Sequence, residues 1–261
     1  MMFRSLSTAA TGMAAEQSRI DVIAHNMANV ETTGFRRLHA EFRDLVYTTL
    51  RAPGGRTAQG GAVPTGVMIG TGTVLSSTQL SMQEGSIAAT GSPLDLAIEG
   101  SGFFQLRRPD GTLAYTRNGN FQLDPEGRLV TPEGLPVEPA ISVPQGVTSL
   151  TISADGVITA TLPGSGESQE IGRLELATFP NPGGLEPMGR NLYRATTASG
   201  PVLTAAPGNE GLGTVAQGML EGSNVEIVTE MIDLIASQRA YELNHRVVQA
   251  ADEMLRKSSE L

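Results

Sequence analysis

Apolar side chains at the start of the chain return every three or four positions: Met2, Leu6, Ala9, Met13, Ile20, Ile23 and Met27, with Glu16 interrupting the run. Alternating spacings of four and three mark a narrow seam along one helix, so the pattern predicts a helix of about seven turns. It should stop between Asn26 and Gly34, where Asn29, Thr32, Thr33 and Gly34 favour turns and positive φ over helix. A short helical signal resumes over Arg36 to Leu50. From Arg51 to Gly72 the periodicity gives way to Gly, Pro, Thr and Ala, with breakers at Pro53-Gly54-Gly55 and Gly60-Gly61. That composition predicts an extended or irregular connector.

Between Leu94 and Thr204 the chain reads as short apolar runs divided by turn sequences: Pro109-Asp110-Gly111, Pro125-Glu126-Gly127, Pro132-Glu133-Gly134 and Asp155-Gly156. Runs such as Leu94 to Ile98, Phe103 to Leu106 and Leu174 to Phe179 then predict a compact, mostly antiparallel β domain. Helical periodicity returns after Gly211, Gly213 and Gly218. It runs from Ser223, a good N-cap residue, to about Lys257. Ile227, Leu234, Tyr241, Val248 and Leu255 fall seven apart, and Leu243, Val247, Ala251 and Met254 widen the apolar arc beyond what one partner helix covers. At ~1.5 Å per residue this helix extends about 50 Å and the N-terminal one about 40 Å.

The fold class is therefore α+β: helices from both chain ends forming a coiled-coil-like domain, an extended connector, and a β-rich, mostly antiparallel central domain. The expected boundaries are 1–46 with 212–261 for the helical domain, 47–93 for the connector and 94–211 for the β domain. Burying one Leu or Ile is worth roughly 1.5–3 kcal/mol, so a wide apolar stripe left in water works against a typical domain stability of about 5–15 kcal/mol. Neighbouring subunits are the expected cover, with the termini ordering fully on assembly. The plainer reading is a monomeric β-domain binding module whose terminal helices pack within one chain; resistance of the full chain to limited proteolysis would favour it.

Composition narrows the chemistry. A formal charge of −9 and the absence of a Lys/Arg run argue against a nucleic-acid partner. There is no cysteine, hence no disulfide, thiolate metal site or thiol nucleophile. Met1 to Gln17 lacks the basic flank and continuous apolar run of a cleaved leader, and no stretch reaches the roughly 18 apolar residues of a transmembrane helix. Only Arg4 and Arg19 are basic along the N-terminal stripe, which weighs against a lipid-surface helix.

His25, His39 and His245 share no ligand-like spacing, and Asp110, Asp124 and Asp155 sit in turn sequences with none of the alternation of a calcium loop. Gly70-Thr71-Gly72 starts like a dinucleotide fingerprint, but Leu75 takes the place of the third glycine. Lys257 is the only lysine, so no Walker-type Gly-Lys pair exists, and no Gly-x-Ser-x-Gly elbow frames a nucleophile. The reading is no enzyme, no metal, no cofactor and no small-molecule substrate.

The segment Ala24-His25-Asn26-Met27-Ala28-Asn29-Val30-Glu31-Thr32-Thr33-Gly34-Phe35 resembles the N-terminal signature of the flagellar rod and hook axial proteins. Gly222-Ser223-Asn224-Val225-Glu226, Glu230-Met231 and Gln238-Arg239-Ala240-Tyr241-Glu242, ending in Ala251-Asp252-Glu253-Met254-Leu255, resemble the C-terminal one. Between them Asp95-Leu96-Ala97-Ile98-Glu99-Gly100, Gly102-Phe103-Phe104 and Tyr115-Thr116-Arg117-Asn118-Gly119-Asn120-Phe121 are similar to the middle of those proteins. Chain length, Ile69-Gly70-Thr71-Gly72 and Asn181-Pro182-Gly183-Gly184-Leu185 are most similar to the distal-rod members, with proximal-rod and hook-type subunits as the alternative. His25 stands where the family usually has Asn, and Arg36 where Lys is common.

The resemblance implies a structural subunit of the flagellar basal body that polymerises into a helical tube, the distal rod, and transmits torque from motor to hook. It implies contacts with other rod proteins, the hook protein, the peptidoglycan and outer-membrane bushing rings and the export apparatus. It also implies a place spanning the periplasm, reached by type III export without a cleaved signal peptide. The stretch from about Tyr47 to Gly72 is similar to an insertion that stiffens the rod. The residues expected at subunit interfaces are Leu6, Met13, Ile20, Ile23 and Met27 of the first helix, and Asn224, Val225, Ile227, Leu234, Tyr241, Val248 and Leu255 of the second. Asn26, Asn29, Thr33, Gly34 and Phe35 carry the N-terminal motif.

Overall fold

The computed structural model describes residues 2–54, 65–162 and 168–259. Gly55, Gly60 and Gly61 of the expected connector, and the side chain of Met2, lie outside the described residues. The chain divides into two units: one of residues Met1–Ala28, Leu38–Gln79 and Glu226–Leu261, the other of Asn29–Arg37 and Leu80–Val225. Going from 28 to 29, 37 to 38, 79 to 80 and 225 to 226, the chain passes from one unit to the other four times.

The terminal unit holds α1 (Met2–Ala28), β1 (Leu38–Asp44), β2 (Tyr47–Arg51), β3 (Val67–Gly70), β4 (Thr73–Leu80) up to Gln79, and α2 (Ile227–Ser259). α1 and α2 pack against each other, β1 pairs with β4, and β2 pairs antiparallel with β3 through Tyr47↔Gly70, Thr48↔Ile69 and Thr49↔Met68. Both terminal helices are thus where the periodicities place them.

Three local expectations change. Over the stretch 36–50 the chain forms β1 and most of β2, with no helix: Leu38, Ala40 and Phe42 alternate with His39, Glu41 and Arg43, a period of two that suits β1. Over the described part of the stretch read as irregular, Arg51 belongs to a paired strand and Val67–Gly70 forms its partner. Val67, Met68 and Ile69 are all exposed, so no in/out alternation announces that strand. Finally, α2 starts at Ile227 and not at Ser223. Ser223 Oγ accepts from Val225 N at 3.2 Å, and the first helical carbonyl is that of Glu226, accepting from Glu230 N at 3.0 Å.

The second unit is built from β5 (Ile87–Ala89), β6 (Leu96–Glu99), β7 (Phe103–Arg107), β8 (Leu113–Thr116), β9 (Gln122–Leu123), β10 (Leu129–Val130) and β11 (Val137–Glu138). It continues through β12 (Ser149–Ile152), β13 (Val157–Thr161), β14 (Ser168–Arg173), β15 (Leu176–Thr178), β16 (Glu186–Gly189), β17 (Leu192–Arg194), β18 (Leu203–Ala205), β19 (Thr214–Gln217) and β20 (Met219–Glu221). One sheet runs β16-β17-β8-β7-β15-β18 with β11 also on β7, and a second runs β12-β13-β14. β6 pairs with β19 and β5 with β20, so the two strands that precede α2 return to the end of the connector and the first strand after it. These pairings are antiparallel, as expected.

β7 is buried on both faces from Phe103 to Leu106, Gln105 included, which explains why it reads as a largely apolar run without alternation. Its side chains meet Phe121, Val137, Leu174 and Leu176 in the core, and Phe103, Tyr115, Phe179 and Tyr193 form an edge-on aromatic cluster. The turn between β7 and β8 is made by Asp110, whose Oδ1 accepts from Thr112 N at 2.9 Å and Thr112 Oγ1 at 2.6 Å. Those two bonds hold the Asp110 carboxyl below its ordinary range. Asp124 does the same for Arg128 N at 2.7 Å, as turn chemistry requires.

Candidate functional site

Three signatures that are far apart in sequence meet around one carboxylate. Gly34 N donates to Glu221 O at 2.8 Å, which brings the N-terminal motif onto the end of β20. Arg36, two residues on, places Nη1 2.7 Å from Glu221 Oε1 and donates to Gln83 O at 2.9 Å. From the middle of the chain Arg117 Nε donates to Glu221 Oε2 at 2.7 Å. Arg117 also fills the carbonyls of Gly100 and Gly102, each at 2.8 Å, and of Ile98 at 3.1 Å. Gly85 N completes the carboxylate at 3.0 Å.

The cluster is almost dry: the side chains of Glu221, Arg117 and Arg36 are 0%, 2% and 3% exposed. Two guanidinium groups against one carboxylate leave a surplus positive charge, which the surrounding backbone carbonyls help to satisfy. Burial alone would raise the Glu221 carboxyl, but the charge and hydrogen bond of Arg117, the charge of Arg36 and the Gly85 amide hold it below its ordinary value. Arg117 is lowered by burial, with Glu221 opposing that shift. Beside them the buried Tyr193 phenol is pushed up to about 12, mainly by burial.

Gly34 is at φ +68, and a Cβ there would lie 2.7 Å from Arg117 C and Asn118 N. The glycine is required both for its left-handed backbone and for room. Gly119 is tighter still, with an added Cβ only 1.6 Å from Leu96 O. The remaining motif residues are equally specific. Asn29 Oδ1 accepts from Thr32 Oγ1 at 3.2 Å, Thr33 O accepts from Asn191 Nδ2 at 2.8 Å, and Phe35 is buried.

Asn26 belongs to the terminal unit and uses its amide to full effect there. Its Oδ1 accepts from Leu38 N and its Nδ2 donates to Leu38 O, both at 2.9 Å, so the side chain pairs with the backbone as a strand would. Nδ2 also lies 3.3 Å from Glu230 Oε2 on α2. Of the seam residues Ile23 is buried, while Leu6, Met13, Ile20 and Met27 are half-buried. On α2 the deepest positions are Glu230, Ser237 and Ala251, at 0%, 1% and 1% exposed, and seven or fourteen apart. Leu234, Val248 and Leu255 flank them half-buried, and Ile227 and Tyr241 are exposed. Asn224 and Val225 precede α2 and belong to the second unit, where Val225 is buried.

Among the side chains α2 leaves in water, beside charged ones such as Arg239, Glu242 and Arg246, are Val228, Met231, Ile232, Ile235, Leu243, Val247 and Met254, alongside Val46, Tyr47, Leu50, Met68 and Ile69 of the same unit. Among the described residues no group of three His, Asp or Glu side chains is arranged to hold a metal ion. Nothing in the local sequence marks Arg117 individually, and Arg36 stands out there only as a departure from Lys. For Glu221 the available signal is a charge isolated between Leu220 and Gly222.

Comparison with known proteins agrees with these three convergent segments. Residues 6–36 match the family model described as flagella basal body rod protein, residues 97–160 the D1 domain of the flagellar hook protein FlgE/F/G, and residues 216–261 the C-terminal part of the flagellar basal body rod FlgEFG protein. The flagellar basal-body rod protein FlgG of Caulobacter vibrioides is 45% identical over 259 residues, covering 99% of both chains. That of Borreliella burgdorferi is 43% identical over 97% of each, and that of Bacillus subtilis 36% over 97% of each. Identity at this level along the whole length, with matching family models at both ends and in the middle, means that the chain belongs to the FlgG family of flagellar basal-body rod proteins.

Proposed function

We propose that this chain is a non-enzymatic structural subunit of the bacterial flagellum, polymerising into the distal rod, the drive shaft that carries torque from motor to hook. The observation that carries the reading is the exposed apolar face of α2, from Val228 through Ile235 and on to Leu243, Val247 and Met254. In the single chain these side chains stay exposed, and the deepest α2 positions are Glu230, Ser237 and Ala251. A soluble monomer gains nothing from such a face, whereas a polymer gains roughly 1.5–3 kcal/mol for each side chain that a neighbour covers.

The assembly domain in this reading comprises 1–46 and 212–261, its helices lining a tube in a coiled-coil-like packing with those of neighbouring copies. Residues 94–211 form the outer domain, facing the bushing rings of the peptidoglycan and outer membrane. Residues 47–93 form the connector, of which the stretch from about Tyr47 to Gly72, containing the paired strands β2 and β3, acts as the stiffening element. Other rod proteins, the hook protein and the type III export apparatus are the remaining partners, and the rod spans the periplasm. Deleting the gene and imaging basal bodies by electron microscopy tests the assignment. Basal bodies that end before the distal rod are expected, and a complete rod and hook would overturn it.

A further inference from the structure

The second unit has four points at which the chain enters or leaves it: Asn29, Arg37, Leu80 and Val225. Within that unit, Asn224 ties together the segments at three of them. Its Oδ1 accepts from Arg37 N at 2.6 Å, and its Nδ2 donates to Ser81 O at 3.1 Å and to Gln83 O at 2.8 Å. Its own backbone N donates to Phe35 O at 3.4 Å, and Ser81 N donates to Arg37 O at 2.8 Å. Both amide hydrogens and the amide oxygen are therefore committed, each to a main-chain group at an exit.

We infer that Asn224 is a clasp that makes these three exits of the second unit a single cooperative body, so that they loosen together or not at all. The chemistry singles out asparagine. Aspartate keeps the acceptor for Arg37 N but loses both donors and sets a negative charge against two carbonyl oxygens. Glutamine carries the same amide one methylene further out, and alanine leaves the Arg37 amide and both carbonyls to find other partners. Glu221 binds the same neighbourhood from the other side, through Arg36 and the Gly85 amide. With the two together, each of the three segments is fastened by side chains that stand three positions apart in sequence.

The consequence rests on the rod reading: force carried along the terminal segments reaches the second unit at its exits, and exits that yield separately would let it unravel strand by strand. Clasp and rod assignment are tested separately. Native-state hydrogen exchange on the full-length monomer reads the clasp. In the wild type the Arg37, Ser81 and Asn224 amides should share one protection level. In Asn224→Ala and Asn224→Asp they should all exchange at least about tenfold faster, with the amides of β7 unchanged and Asn224→Gln intermediate. Wild-type amides that exchange at three unrelated rates, or variant amides that keep wild-type rates, would overturn the clasp. Neither result depends on whether the chain builds a rod, which the basal-body images decide independently.

Discussion

Replacing Glu221 with Gln removes the one anion from a buried cluster that holds two guanidinium groups. Glutamine keeps the shape but has a single acceptor oxygen. Glu221 uses Oε1 for Gly85 N and Arg36 and Oε2 for Arg117 Nε, so one of those donors will face an NH2 group. Breaking a buried ion pair by removing one partner costs roughly 3–5 kcal/mol, because the charge left behind is uncompensated. Against a typical domain stability of about 5–15 kcal/mol, that is a large fraction. Urea unfolding followed by circular dichroism should show the midpoint falling at constant slope.

The same variant should change the acid limb. A carboxyl held below its ordinary pKa contributes stability that is fully present above the ordinary carboxylate value of about 4.3 and is lost as pH falls through the lowered one. The wild type therefore loses stability below about pH 4 in part through Glu221, and Glu221→Gln should have the flatter profile there. A cost below about 1 kcal/mol, or an unchanged acid limb, would mean that the cluster is not what binds the three signatures together. Replacing Arg36 and Arg117 with Met and Glu221 with Leu together should not restore stability. Gln83, Gly100, Gly102 and Ile98 would lose the donors that now satisfy their carbonyls, at about 1–3 kcal/mol each where they stay dry.

Gly34→Ala should cost at least about 1 kcal/mol from the left-handed backbone, and Gly119→Ala more because its Cβ meets the Leu96 carbonyl; thermal melts of both variants check the order. Asn26→Leu should destabilise the terminal unit by about 2–3 kcal/mol through the lost bonds to Leu38, read as earlier exchange of the Leu38 amide. Converting Val228, Ile232 and Ile235 to Asp should leave the monomer's melting temperature within a few degrees and abolish polymerisation in sedimentation assays, because these side chains are already in water in the single chain. Normal polymers from that triple variant would refute the proposed assembly face.

Much of this molecule was legible as pattern. Spacings of three and four located both helices because an α-helix meets its neighbours along one stripe whatever the neighbour is. Asp110 and Asp124 marked turns because an Asx side chain bonds the main chain only a few residues away. Such signals are local, so a sequence can carry them unaided. β1 is less legible, because its period-two alternation spans only Leu38 to Arg43 and its pairing partner, β4, begins only at Thr73.

What the sequence left open was which groups become neighbours across long stretches of chain. Arg36, Arg117 and Glu221 are separated by 81 and 104 positions, obtained as 117 − 36 and 221 − 117, and nothing in their local context announces that one carboxylate will serve both arginines. Periodicity puts Ile227, Leu234, Tyr241, Val248 and Leu255 on one line, whereas within the single chain the packing buries Glu230, Ser237 and Ala251 most deeply and leaves Ile227 and Tyr241 exposed. Apolar spacing states that a face will be covered; only the folded arrangement decides which residues the chain covers for itself and which it leaves for another molecule.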